Sequence, residues 1–376
     1  MPERPSRVAW IDYLRGFITA LVVAHHSALA YTTFATFHKE AYILSTHPVV
    51  DTARARGFDI FEDFNDVFFM SLMFLISGIF VLPALDRKGA KNFLRDRFRR
   101  LFIPFVIGVT ILMPIAYLPA WYLAKQNWHP IDYLVDFFTV EAWPVGPPWF
   151  IWVLFVFNVI VAVVFRFIRP ALEKGTQWLA RFADRPIRLG LMWLAFTGIV
   201  YIPLVLLAGA DRWTGVGPFD FQVSRILLYF GYFLLGILIG GHGPGEGLLA
   251  PGTGFQRKAP LLLVFCVLAF GFLKCSGSWL MYRSVWILSC TASCMAFLSM
   301  FLRLFRRGYP LWDSLSANAY GIYLVHYIFV VWIQFLLLPL SLPVLLKFGI
   351  TFVCSLLLSW GLTAFARRNA FVARYL

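Results

Sequence analysis

The sequence predicts an all-α, polytopic integral membrane protein with about ten transmembrane helices and both termini cytoplasmic, and three observations carry that prediction. Of the 376 residues, 60% are hydrophobic and 14% charged, with a mean hydropathy of +0.74, whereas a soluble chain has about 45–50% apolar and about 25% charged residues. Apolar runs recur along the chain, and ten crossings of about 20 residues consume about 200 residues, leaving short connections. The 33 Lys and Arg sort unevenly about those runs.

Taken in order, the first span, near 10–32, reads WIDYLRGFITALVVAHHSALAY and follows Arg4 and Arg7. The second, near 64–84, contains MFLISGIF. Seven basic residues from Arg87 to Arg100 separate it from the third, 100–122, which ends on Trp121 and Tyr122, rings suited to a membrane interface. The fourth, 147–168, opens as PPWFIWVLFVF around Trp149, and six basic residues between Arg166 and Arg188 lead to the fifth, 187–209. The sixth, 220–241, carries Arg225. Arg257 and Lys258 introduce the seventh, 259–275. The eighth, 280–304, begins beside Trp279 and Tyr282 and ends at Arg303, Arg306 and Arg307. The ninth, 314–338, holds SANAYGIYLVHYIFVVW, and the tenth, 340–366, stops at Arg367 and Arg368.

With the N-terminus in the cytoplasm, alternate connections place 23 basic residues inside and seven outside (Lys39, Arg54, Arg56, Lys125, Arg212, Lys274, Arg283), while Arg15, Arg225 and Lys347 fall within spans. That bias favours both termini inside. It also accounts for the net charge of +14 by membrane topology, with no nucleic-acid partner. No internal repeat supports an inverted-repeat transporter, and residues 1–376 read as one membrane-embedded domain. Ala28-Leu29-Ala30 imitates a signal-peptidase site, but Asp12, Arg15 and two histidines interrupt the stretch, which argues against cleavage. Five cysteines, odd in number and without a CxxC, suggest neither a disulfide framework nor a metal site.

Ionisable groups inside spans are expensive and point to function. In the first span Arg15 and His26 are 11 residues apart, near three full helical turns and about 16 Å, so they share a face, while His25 points about 80° away. On one account Asp12 and Arg15 are an interfacial pair and the histidines bond neighbouring helices. On the other, His26 is a general base and Arg15 holds an anionic or carbonyl-bearing reactant. Arg95, Arg97, Arg99 and Arg100 serve either as an orientation signal or as a phosphate clamp, since guanidinium forks match phosphate oxygens. In the ninth span Tyr323 and His326 belong either to a packing face or to a cavity shared with His26. His38, His47, His129 and His242 sit in loops without ligand spacing.

These motifs resemble the acyltransferase type 3 family of polytopic membrane enzymes, in particular the branch that contains the membrane glucan succinyltransferase. The resemblance rests on Asp12-x-x-Arg15 followed after ten residues by His26, on Ser77-Gly78 in MFLISGIF, on FLRDRFRRLFIPF through Pro104, on Trp149 in PPWFIWVLFVF and on AYGIYLVH ending at His326. It implies a bacterial inner-membrane O-acyltransferase with His26 catalytic and Arg15 its partner, supported by Asp12, Tyr323, His326 and Trp149. The expected donor is a cytoplasmic acyl-CoA, a co-substrate and not a resident cofactor, with its phosphates on Arg97, Arg100, Arg95 and Arg99. The expected acyl group is acetyl or succinyl, and the acceptor an envelope or exported carbohydrate. A saccharide transporter or flippase is the rival reading. The outer segment 33–63, with Glu40, Asp51, Asp59, Glu62 and Asp63 among aromatic residues, is expected to grip the acceptor.

Overall fold

The computed structural model describes residues 9–243, 245–305 and 307–376; Arg4, Arg7 and Arg306 of the charge count lie outside the described residues. Helices occupy all ten predicted spans: α1 Ala9–Leu29, α2 Arg56–Ile79, α3 Val81–Lys125, α5 Trp149–Ala180, α6 Pro186–Ala208, α7 Val223–Gly240, α8 Ala259–Lys274, α9 Trp279–Leu304, α10 Pro310–Leu337 and α11 Val344–Ala366. Seven of them (α3, α5, α6, α7, α9, α10 and α11) are long and apolar enough to cross a membrane. α8 has only 16 residues. α1 and α2 fall short because polar groups lower their hydropathy, Asp12, Arg15, His25 and His26 in the first and Asp59, Glu62, Asp63 and Asp66 in the second.

Two elements lie where loops are expected. α4, Pro130–Thr139, starts on a proline, which suits a first helical turn, has Asp132 at its positive end, and buries Tyr133 and Phe137 one turn apart. A two-stranded antiparallel ribbon, β1 Trp213–Thr214 and β2 Phe221–Gln222, pairs Trp213 with Gln222 and Thr214 with Phe221. Its turn passes through Gly217 at φ 55.

α1 is central, packed against α10, α2, α9 and α11. α2 lies closest to α7, because Gly78 meets Gly236 and Gly240 meets Ile79: a Cβ on Gly236 would run into the Leu75 carbonyl, and one on Gly240 into that of Ile79. Small residues let backbones approach this closely where no hydrophobic effect drives helices together.

The prolines of α3 explain much of the site's scaffold. Pro104 and Pro114 follow π-helical turns at Phe98–Phe102 and Gly108–Leu112, since a proline removes an N–H and clashes with the turn before it. The carbonyls left without a helical donor are served from other helices and loops. Tyr320 donates to the Arg100 carbonyl at 2.6 Å, Trp143 Nε1 to that of Val109 at 2.9 Å, and Trp332 Nε1 to that of Ile115, one turn before Pro119, at 2.8 Å. Arg100 is thereby held against α10.

Candidate active site

Two cavities lie end to end in the bundle. The first, about 460 Å³, lies towards the 97–100 arginines; Arg15, Arg97, Arg100 and Arg367 line it, with Asp12, Asn158 and Tyr320. Asp12 Oδ1 accepts from Arg15 at 2.9 Å. The Arg97 guanidinium lies over the Phe93 ring at 4.8 Å, and Arg367 donates to the Ala317 carbonyl. Four guanidinium groups against one aspartate make this a cationic chamber suited to an anion.

The second cavity, about 190 Å³, is lined by His25, His26, Asp66, Trp149, Trp213, Gln222, Arg225 and Tyr229 among others. Tyr323 lines both cavities, and its hydroxyl donates to the Pro147 carbonyl. It therefore stands at their junction.

Four imidazoles gather around His26, of which His25 and His26 line the second cavity. The His26 ring centre lies 5.3 Å from those of His25 and His326 and 6.4 Å from that of His47, with Tyr327 edge-on at 5.0 Å. Two of the four rings are held by hydrogen bonds and a third by an ion pair. His25 Nδ1 meets Glu62 Oε2 at 2.6 Å. His326 Nδ1 faces the Tyr323 carbonyl at 2.7 Å, and because a carbonyl only accepts, Nδ1 carries the proton and Nε2, buried without a partner, has the lone pair. Gln334 Nε2 donates to the carbonyls of His26 and Ser27 at 3.1 and 3.2 Å, so its Oε1 takes the proton of His47 Nε2 at 2.7 Å. Among the described residues the His26 ring makes no hydrogen bond, and its Nδ1 is buried without a partner. No three His, Cys, Asp or Glu side chains among the described residues group as metal ligands.

The sequence-predicted residues divide between these chambers. His26 and Trp149 line the second; Asp12, Arg15, Arg97 and Arg100 line the first; Tyr323 joins them. Arg95 and Arg99 are exposed and line neither. His326 stacks beside His26 but is fully buried. Arg15 and His26 do lie on one side of α1, yet α10 inserts Tyr323 between their chambers, so Arg15 does not share His26's cavity. His25 turns towards Glu62 and Phe69 of α2 but still lines the cavity with His26.

The extent of the outer segment 33–63 is corrected. α2 begins at Arg56, and most of the carboxylates are spent inside the protein: Asp51 on Lys347 at 2.6 Å, Asp59 on the Thr33 N–H at 2.7 Å, Glu62 on His25 and Asp63 on Lys274. The segment is a folded plug over the bundle. Sequence reasoning also missed Asp66, Gln334 and Arg367, set His47 aside as a loop residue, and gave Glu62 to the acceptor and not to His25. Arg225, marked only as a charge within a span, forms a two-pronged pair with Asp66 at 2.7 and 2.6 Å beneath Trp286. The available signal was the density of carboxylates just before the second span.

Imidazoles enclosed beside a cationic chamber suit the handover of a group away from bulk water. The chain belongs to an acyltransferase family, for residues 8–364 match the family described as an acyltransferase domain. It is 25% identical to glucans biosynthesis protein C of Shigella dysenteriae serotype 1 (strain Sd197) over 63% of this chain and 59% of that protein. Proteins of the same name from Escherichia coli strain SMS-3-5 and strain EC4115 of serotype O157:H7 match to the same extent. The chain thus spans about three fifths of the length of these relatives. No solved structure matches it.

Proposed function

We propose that the protein is an integral-membrane O-acyltransferase that moves an acetyl or succinyl group from cytoplasmic acyl-CoA to a hydroxyl of an envelope or exported carbohydrate. The observation that carries this reading is the meeting of an arginine-lined chamber and an imidazole-lined chamber at Tyr323. In this reading the ten helices at the predicted spans all cross a bacterial inner membrane, with both termini and the arginine chamber on the cytoplasmic side. That orientation agrees with the excess of Lys and Arg on that face.

The donor's phosphates rest on Arg97 and Arg100, and its thioester reaches past Arg15 to Tyr323. His26 takes the proton of the acceptor hydroxyl as the oxygen attacks the thioester carbonyl; the C–S bond then breaks, and the departing CoA thiolate takes up that proton from His26, which returns to its neutral form. Tyr323, released from the Pro147 carbonyl, donates to the developing oxyanion. The glucan named in the relatives supports a carbohydrate acceptor.

Incubating purified protein in detergent with acyl-CoA and glucose oligosaccharides tests this reading. Release of free CoA together with acylated sugar is expected; a saccharide flippase would leave acyl-CoA intact while moving sugar across vesicles. A finer test is the Arg97→Lys/Arg100→Lys double variant, which keeps the charge but loses the planar forks. Losing one hydrogen bond to a charged group costs ~1.5–3 kcal/mol, so the KM for acyl-CoA is expected to rise roughly tenfold or more with membrane orientation unchanged. An unaltered KM would reduce the cluster to an orientation signal. Arg15→Lys is expected to impair the same step, read as a fall in kcat/KM for the donor, and normal kinetics would reduce Arg15 to an interfacial anchor.

A further inference from the structure

A third cavity, about 360 Å³, opens beside the histidine chamber on the side away from the arginines, and Ile43, Trp143, Trp213, Thr214, Gly217 and Asp220 are among its walls. Its volume lies within the range of small-ligand sites, about 300–1,000 Å³. Trp213 lines this cleft and the His26 cavity alike. The Trp213 ring stands edge-on to that of Trp149 at 5.6 Å, so the two spaces adjoin at a pair of indoles.

The cleft is built at a cost. Ala142 and Trp143 both hold left-handed backbone, φ 52 and 62, a conformation that non-glycine residues adopt only against strain. The surroundings enforce it. The Trp143 N–H donates to the Phe137 carbonyl at 3.0 Å and its indole N–H to that of Val109. Glu141, fully buried, accepts the N–H groups of Tyr42 at 3.1 Å and Ile43 at 2.6 Å, which holds the facing wall. Strain kept in this way, away from the histidines, fixes one indole at the rim while Trp213, 43% exposed, supplies a second.

We infer that this cleft is a carbohydrate subsite, which holds a sugar unit of the acceptor chain next to the one that enters the His26 cavity. A sugar ring has an apolar C–H face that packs on an indole and a rim of hydroxyls that donate to a carboxylate, here that of Asp220. No arginine or lysine lines the cleft, so a phosphate or nucleotide lacks its usual partner while facing an acidic group. The inference rests on the acyltransferase reading for the fate of the sugar, though not for its binding.

The experiment uses the full chain in detergent with glucose oligosaccharides of one to eight units, and compares Trp213→Ala, Trp213→Tyr and Asp220→Asn. The acceptor KM of the unaltered protein is expected to fall as the oligosaccharide lengthens. Trp213→Ala is expected to raise the KM for the longer sugars at least fivefold and flatten the length dependence, Trp213→Tyr to restore most of it, and Asp220→Asn to fall between. An active protein whose KM is independent of length, or a Trp213→Ala protein with unchanged KM for every length, overturns the subsite. If the unaltered protein consumes no acyl-CoA at all, the acyltransferase reading fails instead. Calorimetric binding of the same sugars then decides the subsite, with tighter binding to the unaltered chain than to Trp213→Ala supporting it and equal binding overturning it.

Discussion

His26→Ala is expected to lower acyl transfer by about 10²–10⁴-fold, the usual effect of losing a general base, at normal abundance in the membrane. The structure argues for His26 over its neighbours by what each ring is already doing. His25 Nδ1 is committed to Glu62, His326 Nδ1 to the Tyr323 carbonyl and His47 Nε2 to Gln334. Among the described residues His26 alone of the four has neither a ring hydrogen bond nor an ion pair, it lines the cavity, which His326 with its own free Nε2 does not, and Gln334 steadies its backbone carbonyl. A group that must accept a proton and return it has to begin with an available nitrogen. His25→Ala removes the partner of Glu62 and a wall of the cavity, so it too is expected to slow transfer, but by less than His26→Ala. A His26→Ala protein that retains more than a tenth of normal transfer would take the base role away from this residue.

How far the sequence reaches is clear from particular elements. Runs of about 20 apolar residues announce spans because the bilayer admits little else, and helices duly occupy all ten. α2 starts earlier than the apolar pattern suggests because Asp59, Glu62, Asp63 and Asp66 resemble a loop until their partners are known. Those partners are remote: Asp66 meets Arg225 159 residues later, and Asp51 meets Lys347 296 residues later. Periodicity along one helix carries no record of such pairings. The 11-residue step correctly puts Arg15 and His26 on one side of α1, but cannot reveal that α10 sets Tyr323 between their chambers. The proline-rich third span is similar. Pro104 and Pro119 forecast broken helical hydrogen bonds, while the identity of the rescuing donors, Tyr320 and Trp332, depends on how α10 lies against α3. His47 was passed over because it sits in a loop, and only the fold of that loop carries it to His26.

Lys347→Met is expected to destabilise the protein by about 3–5 kcal/mol, the typical consequence of leaving one partner of a buried ion pair uncompensated. Lys347 and Asp51 are each only 3% exposed and lie 2.6 Å apart. The pair also secures the plug between α1 and α2. Asp51 Oδ1 accepts the Ala53 N–H at 2.8 Å, and the Asp51 N–H donates to the Ala30 carbonyl at 2.9 Å. In the variant the carboxylate stays in a desolvated site with its charge unmet, and the cheapest relief is for the plug to lift. His47, four residues earlier in that plug, then leaves Gln334, which also bonds the His26 carbonyl. Loss of stability is therefore expected to travel with loss of transfer. The double variant Asp51→Asn/Lys347→Met carries no buried charge at this position, and replacing both members of such a pair costs far less than removing one. Thermal unfolding in detergent checks the pattern, with a clear fall in the midpoint for Lys347→Met and recovery of most of it in the double variant. Equal midpoints for the single and double variants would show that the lost lysine matters through its packing along α11 and not through its charge.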